Sequence, residues 1–168
     1  MDLWVSEAGV LRQGEQSYRC ALGKAGLRFE KREGDSATPI GRFPLRRLFY
    51  RADRLAAPIT RLPLRAITPQ DGWCDDPAHE DYNRLISLPH PARHETLWRE
   101  DGLYDLLVVL GHNDSPPIAG EGSAIFLHLA RPDYSGTEGC VALALPDLLA
   151  VLADLGPEDR LIVSALQK

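Results

Sequence analysis

The chain has 168 residues, enough for one domain that buries roughly 70% of its unfolded surface. Its hydrophobic share of 44% and charged share of 26% exclude a disordered chain. The net charge of -5 argues against a nucleic-acid partner, and no apolar run approaches the roughly 20 residues needed to span a bilayer.

The first residues have neither a basic start nor a long apolar stretch, so no secretory signal is visible. They read as short strands: LWVS, then VLRQGEQSYRCALG with a hairpin turn at Gly14. In EGDSATPIGRFPL, turn residues Gly34, Asp35 and Pro39 precede Gly41, which leads into a short extended run. Residues 42–65 hold seven arginines (42, 46, 47, 51, 54, 61 and 65) against the single acid Asp53. They form either a solvated surface or a face that attracts an anionic polymer.

Residues 50–100 are broken by prolines at 58, 63, 69, 77, 89 and 91, which predicts an excursion of loops and short strands. Long excursions of this kind often carry binding elements. Within it, Cys74 and His79 lack the second ligand pair of a zinc site, and the nearby acids lack the spacing of a calcium loop. His90 and His94 receive no role. DLLVVLG, AIFLHLA, CVALAL and RLIVSAL are compact apolar runs that suit strands. LPDLLAVLADLG predicts a helix with Pro146 in its first turn, a stripe of Leu148, Leu149, Leu152 and Leu155, and a stop at Gly156. The expected fold is mainly β (α+β), with one helix after Cys140 packed on the strands.

Cys140 sits where a turn-rich segment becomes a strand. Strand alternation places His128 on the face of Ala124 and Phe126, and Cys140 on the small-residue face of Ala142 and Ala144. Cys140 follows His128 by twelve residues, and the linker LARPDYSGTEG contains Pro132, Gly136 and Gly139. It can reverse direction and set the two strands side by side, with sulfur and imidazole in contact. A thiolate is the nucleophile, an imidazolium stabilises it, and the same histidine returns a proton to a leaving amine. Gly139 permits close backbone approach, and the N–H groups of Gly139 and Cys140 face a developing oxyanion. Thr137 orients the loop or donates a hydrogen bond. The alternative is structural: Cys140 caps a buried strand and His128 satisfies a core hydrogen bond. His112, in LGHND, is either a structural histidine or a pocket residue beside Cys140. Cys20 and Cys74 can bridge in an oxidising compartment, leaving Cys140 free; in the cytosol all three are thiols.

GDSATPIGRF (34–43), FLH (126–128) and TEGC (137–140), in this order, resemble the catalytic domain of the YkuD-like L,D-transpeptidases, cysteine enzymes of peptidoglycan. The resemblance implies a compact YkuD-like β-sandwich or barrel, with residues 1–168 as one catalytic domain. It implies that Cys140 attacks the carbonyl between diaminopimelate and the terminal D-residue of a stem tetrapeptide. A thioester forms and D-alanine leaves. An amine on another stem then resolves the thioester in cell wall biogenesis; the alternatives are a hydrolase of the same scaffold, either a carboxypeptidase with water as acceptor or one that cuts an existing cross-link or attached protein, and, from another class, a non-catalytic peptidoglycan-binding module. No metal or organic cofactor is implied, and the partners are peptidoglycan stem peptides. That substrate points to the periplasm or cell envelope, while the missing signal leaves the cytoplasm open. Glu138 and Ala142 stand where the family usually has His and Arg or Asn, Leu129 replaces the Gly that commonly follows the histidine, and the His128–Cys140 interval is short for the family. Arg131 is the expected cation for a substrate carboxylate in their place, and Glu138 either points away from the sulfur or binds the diaminopimelate amine.

Overall fold

A computed structural model describes residues 1–166 of the chain. Fourteen strands and one helix follow in order: β1 (Leu3–Ser6), β2 (Val10–Gln13), β3 (Gln16–Arg19), β4 (Leu27–Arg28), β5 (Thr38–Pro39), β6 (Gly41–Tyr50), β7 (Leu64–Ala66), β8 (Asp71–Cys74), β9 (Leu85–Ser87), β10 (His94–Thr96), β11 (Leu106–Leu110), β12 (Phe126–Leu129), β13 (Val141–Leu143), α1 (Leu145–Ala153) and β14 (Arg160–Ser164). The fold is mainly β, as expected.

The main sheet runs β13-β12-β11-β6-β14-β1-β2-β3, with β7 added to β6. Its two edges nearly meet. Beyond β3, the Ala21 N–H donates to the Ala142 carbonyl (2.8 Å), and the Ala142 N–H donates back to Ala21 (3.0 Å). This exchange turns the sheet into a nearly closed barrel and removes the exposed edge of β13.

Strand alternation sorts the apolar residues into two cores. Leu106, Val108, Leu110, Ile125, Leu127, Val141 and Leu143 face inward and pack around α1 through Leu148, Val151 and Leu152. Leu107, Val109, Phe126 and Cys140 face the other way, where Trp73 and Leu97 of the proline-broken excursion, with Tyr104 just before β11, cover them. The excursion thus forms a roof, built on the sheet β10-β8-β9, over the outer face of the barrel wall.

Several expectations need correction. β12 and β13 run parallel, with His128 opposite Ala142, so residues 130–140 cross over rather than reverse as a hairpin. The run after Gly41 is a ten-residue strand, long enough to pair with both β11 and β14 and bulged opposite Val109 and Leu110. In α1, Leu149 faces solvent and Val151 joins Leu148 and Leu152 inside, because a period of 3.6 residues turns position 149 off that face. The helix also ends at Ala153, before Gly156, and Leu155 is buried beyond it. Cys20 and Cys74 are unpaired and belong to separate clusters.

The arginine-rich segment is largely neutralised by carboxylates from elsewhere in the fold. Arg42 pairs with Asp2 (2.9 Å), Arg46 with Asp114 (2.9 Å), Arg51 with Asp53 (2.8 Å), Arg54 with Asp105 (3.0 Å), Arg65 with Asp71 (2.6 Å) and Arg61 with Glu158. The solvated-surface reading therefore fits it better than a polyanion-binding face.

The segment 34–43 acts as a shelf. Asp35 accepts the N–H groups of Arg32 (2.8 Å) and Ala37 (2.9 Å) and pairs with Lys31. The buried Thr38 hydroxyl accepts the Gly23 N–H (2.8 Å). Thr38→Val keeps the shape but strands that donor, and should cost about 1–3 kcal/mol in denaturant unfolding. Unchanged stability would remove Thr38 from the account of the shelf.

Candidate active site

Cys140 and His128 line one cavity of about 720 Å³ between the barrel wall and the roof. The parallel register puts Cys140 level with Phe126, one same-face step from His128. Two residues along the strand and one inter-strand spacing separate their backbones by roughly 8 Å. The bonds of each side chain go elsewhere. The Cys140 thiol donates to the Ala124 carbonyl (3.3 Å) and its sulfur accepts the Phe126 N–H (3.4 Å). His128 Nδ1 lies 2.9 Å from the Leu129 carbonyl. A carbonyl only accepts, so Nδ1 carries the proton and Nε2 is the basic nitrogen.

Both groups are uncharged at rest. Burial pushes the Cys140 thiol up to about 12; the negative charge of Glu95 adds to this, and the Phe126 N–H opposes it. Burial draws His128 down to about 4, partly countered by its bond to Leu129. The expected thiolate–imidazolium pair is therefore replaced by a thiol beside a neutral base, because a half-dry cavity disfavours both charges.

The loop bearing Cys140 is held from three sides. Gly139 adopts φ +133°, and a Cβ there would lie 2.7 Å from the Ala37 carbonyl on the shelf. The Thr137 hydroxyl donates to the Cys140 carbonyl (2.7 Å) and accepts the Gly139 N–H (3.1 Å). The Thr137 backbone bonds Leu22 and Lys24 (2.9 Å each). The Gly139 N–H is thus occupied by the Thr137 hydroxyl, not free as expected from the sequence. Arg131 and Glu138 are exposed at the cavity, and Arg131 has no carboxylate partner among the described residues.

His112 stands apart. It does not line this cavity; Nε2 bonds the Glu121 carbonyl (3.0 Å) and the ring packs edge-on against Phe43 (5.6 Å). That is the structural histidine of the two readings. His79, Asp81 and His90 form the cluster nearest to a metal-ligand set among the described residues. In each imidazole Nδ1 accepts a backbone N–H, from Asp81 (3.0 Å) and Ala92 (3.1 Å). The remaining proton sits on Nε2, which in His90 faces Asp81 (3.0 Å). A metal at that nitrogen has to displace this proton first.

Several residues of the site carry no signal in the sequence. Glu95, Arg99 and Tyr104 come from the roof. Tyr104 donates to Glu95 (2.6 Å) and packs its ring edge-on against Phe126 (5.8 Å) and His128 (5.2 Å). Asn83 holds Ala124 in place: its carbonyl accepts the Ala124 N–H (3.0 Å) and the Trp73 indole N–H (3.0 Å). Ala124 has φ +54°, a strained conformation for alanine, at the carbonyl that the thiol contacts. Only the prolines and loop length of the excursion hinted that it mattered.

Residues 3–163 match the family described as YkuD, L,D-transpeptidase catalytic domain. No curated protein matches the chain. Among solved structures, it is similar to the helical cell shape determining protein Pgp2 from Campylobacter jejuni, at 14% identity and a TM-score of 0.47. That alignment covers 99% of this chain and 48% of the other, so the chain spans about half that protein's length.

Gly139→Ala should force the loop off the shelf, lowering stability by at least about 2 kcal/mol. Thermal or denaturant unfolding measures this; a variant as stable as the parent would show that the contact with Ala37 does not set the loop.

Proposed function

The chain belongs to the YkuD family of L,D-transpeptidase catalytic domains, and from that premise we propose that it is a cysteine acyltransferase acting on peptidoglycan stem peptides. The observation that carries this reading is the shared cavity: an uncharged thiol and an uncharged imidazole with a free Nε2 open into the same space.

In this mechanism the Cys140 sulfur attacks the carbonyl preceding the terminal D-residue of the stem. The thiol proton passes to His128 Nε2 as the C–S bond forms, since neither group is charged beforehand. The Cys140 N–H stabilises the oxyanion, and Arg131 at the mouth binds a substrate carboxylate. His128 returns its proton to the departing amine, leaving a thioester on Cys140. An amine from a second stem attacks that thioester and gives a proton to His128 Nε2, the C–S bond breaks, and His128 passes that proton to the sulfur. No residue of the chain changes oxidation state. Substrate in the cavity brings sulfur and Nε2 together across the one-step offset, as apo sites often tighten only in the complex. This assignment places its work in the cell envelope.

The hydrolytic alternative differs only in the second step, where water replaces the amine. A purely peptide-binding role needs neither Cys140 nor His128 reactivity. Incubation with disaccharide-tetrapeptide and mass spectrometry of the products separates these outcomes. The proposal expects a cross-linked dimer, with turnover lost in Cys140→Ser and reduced about 100-fold or more in His128→Ala. Tripeptide alone would replace transfer by hydrolysis, and an unaltered substrate would refute both.

The pH dependence is equally specific. His128 accepts a proton only when neutral, and it becomes charged as pH falls through about 4. The acid limb of kcat/KM should therefore centre near pH 4, below the ordinary imidazole value of about 6.5. A limb near 6.5 would mean that the working base is solvated or is another group.

A further inference from the structure

We propose that a second cavity, on the side of the roof away from Cys140, is a binding site for a small aromatic oxyanion, an aryl carboxylate or aryl phosphate. The roof sheet separates the two cavities: Glu95 of β10 lines the one with Cys140, Leu85 of β9 lines the other, and β8 runs between them. Neither Cys140 nor His128 lines the second cavity, so the site is independent of the acyl-transfer reading.

The cavity has a volume of about 600 Å³, within the range of small-molecule sites. Its floor is apolar and largely aromatic. Phe49, Trp73, Val109 and Phe126 are buried there, and the Trp73 and Phe126 rings meet edge-on at 5.2 Å. The Trp73 indole N–H is already donated to Asn83 (3.0 Å), so this side chain offers the cavity a ring and no free donor. A flat aromatic body suits such walls, because rings pair edge-to-face or offset.

Three guanidiniums border this floor: Arg46, Arg47 and Arg84. Neighbours on a regular strand point to opposite faces, so Arg46 and Arg47 would not share a cavity. The bulge in β6 changes that. Arg47 is opposite Val109 and Leu45 is opposite Leu110, which leaves Arg46 as the extra residue, and both arginines line the cavity. Arg46 is neutralised by Asp114 through two bonds (2.9 and 3.0 Å). Arg47 is the one arginine of residues 42–65 without a carboxylate partner among the described residues, and Arg84 also has none. Asp114 is the single acid in the lining, so three arginines against one carboxylate give this cavity a charge of +2 in a chain whose net charge is -5. An oxyanion at the unpaired guanidiniums gains charge-assisted hydrogen bonds beside a low-dielectric wall, and a neutral ligand does not.

NMR titration of the nitrogen-labelled protein with naphthyl phosphate, naphthoate and neutral naphthol tests this. At least one of the two anions should bind about 10-fold more tightly than naphthol. It should also shift the indole N–H signal of Trp73, which is identified by its loss in Trp73→Phe. The tighter of the two anions distinguishes a phosphate ligand from a carboxylate ligand. Combining Arg47→Gln with Arg84→Gln should erase the preference for the anion over naphthol. The double variant should keep the parent spectrum away from the cavity, which shows that it is folded. Equal binding of naphthol and both anions overturns the proposal, as does a preference that the double variant retains. Shifts confined to the Cys140 cavity, or failure of both anions to bind, overturn it too.

Discussion

Two backbone hydrogen bonds between Ala21 and Ala142 close the barrel, and the site depends on that closure. Without it β13 is an unpaired edge and residues 137–140 form a free loop. With it, the segment 21–24 holds Thr137 and is itself held by Thr38. The loop then rests on the Ala37 carbonyl at a position that only glycine fits. The motif of residues 34–43 thus contributes architecture: it fixes the height at which Cys140 leaves the loop. Exchange bonds of this kind each contribute only about 1 kcal/mol net. Their value here is geometric, because they set the position of a sulfur to within a fraction of a side chain.

The chemistry follows from how dry that position is. Cys140 is 7% exposed and His128 is 5% exposed. An ion pair in such surroundings loses more hydration than mutual attraction returns unless its geometry is excellent. The neutral pair is therefore the resting state, and in the proposed mechanism charge develops only as substrate is attacked. This arrangement protects the thiol from adventitious oxidation and alkylation, since thiolate character governs both. It also makes the roof part of the machinery. Tyr104, just before β11, dries His128, and Glu95 of β10 sets the field at Cys140.

Much of the barrel wall was legible from residue types alone. The alternation in AIFLHLA and CVALAL correctly separates Ile125, Leu127 and Val141 from Phe126 and Cys140, because one face is filled by α1 and the other by the roof. Strand direction was not legible. A linker with Pro132, Gly136 and Gly139 suits a reversal as well as a crossover, and the parallel pairing of β12 with β13 shows the crossover. The offset of His128 from Cys140 follows from that parallel register. Glu95, Tyr104 and Asn83 were invisible for a different reason: their roles come from tertiary contacts of a segment without period or motif. His112 shows the converse, a conspicuous histidine whose bonds are all structural.

The central claim is that the buried sulfur of Cys140 becomes acylated by a peptide. Rapid acid quenching of the protein with a stem tetrapeptide, followed by intact-mass and peptide mass spectrometry, tests it directly. The account predicts an adduct of the tetrapeptide minus its terminal D-residue, mapped to Cys140, cleaved by hydroxylamine and missing in Cys140→Ala. An adduct that persists in Cys140→Ala, or turnover with no acylated Cys140 at any quench time, would contradict it.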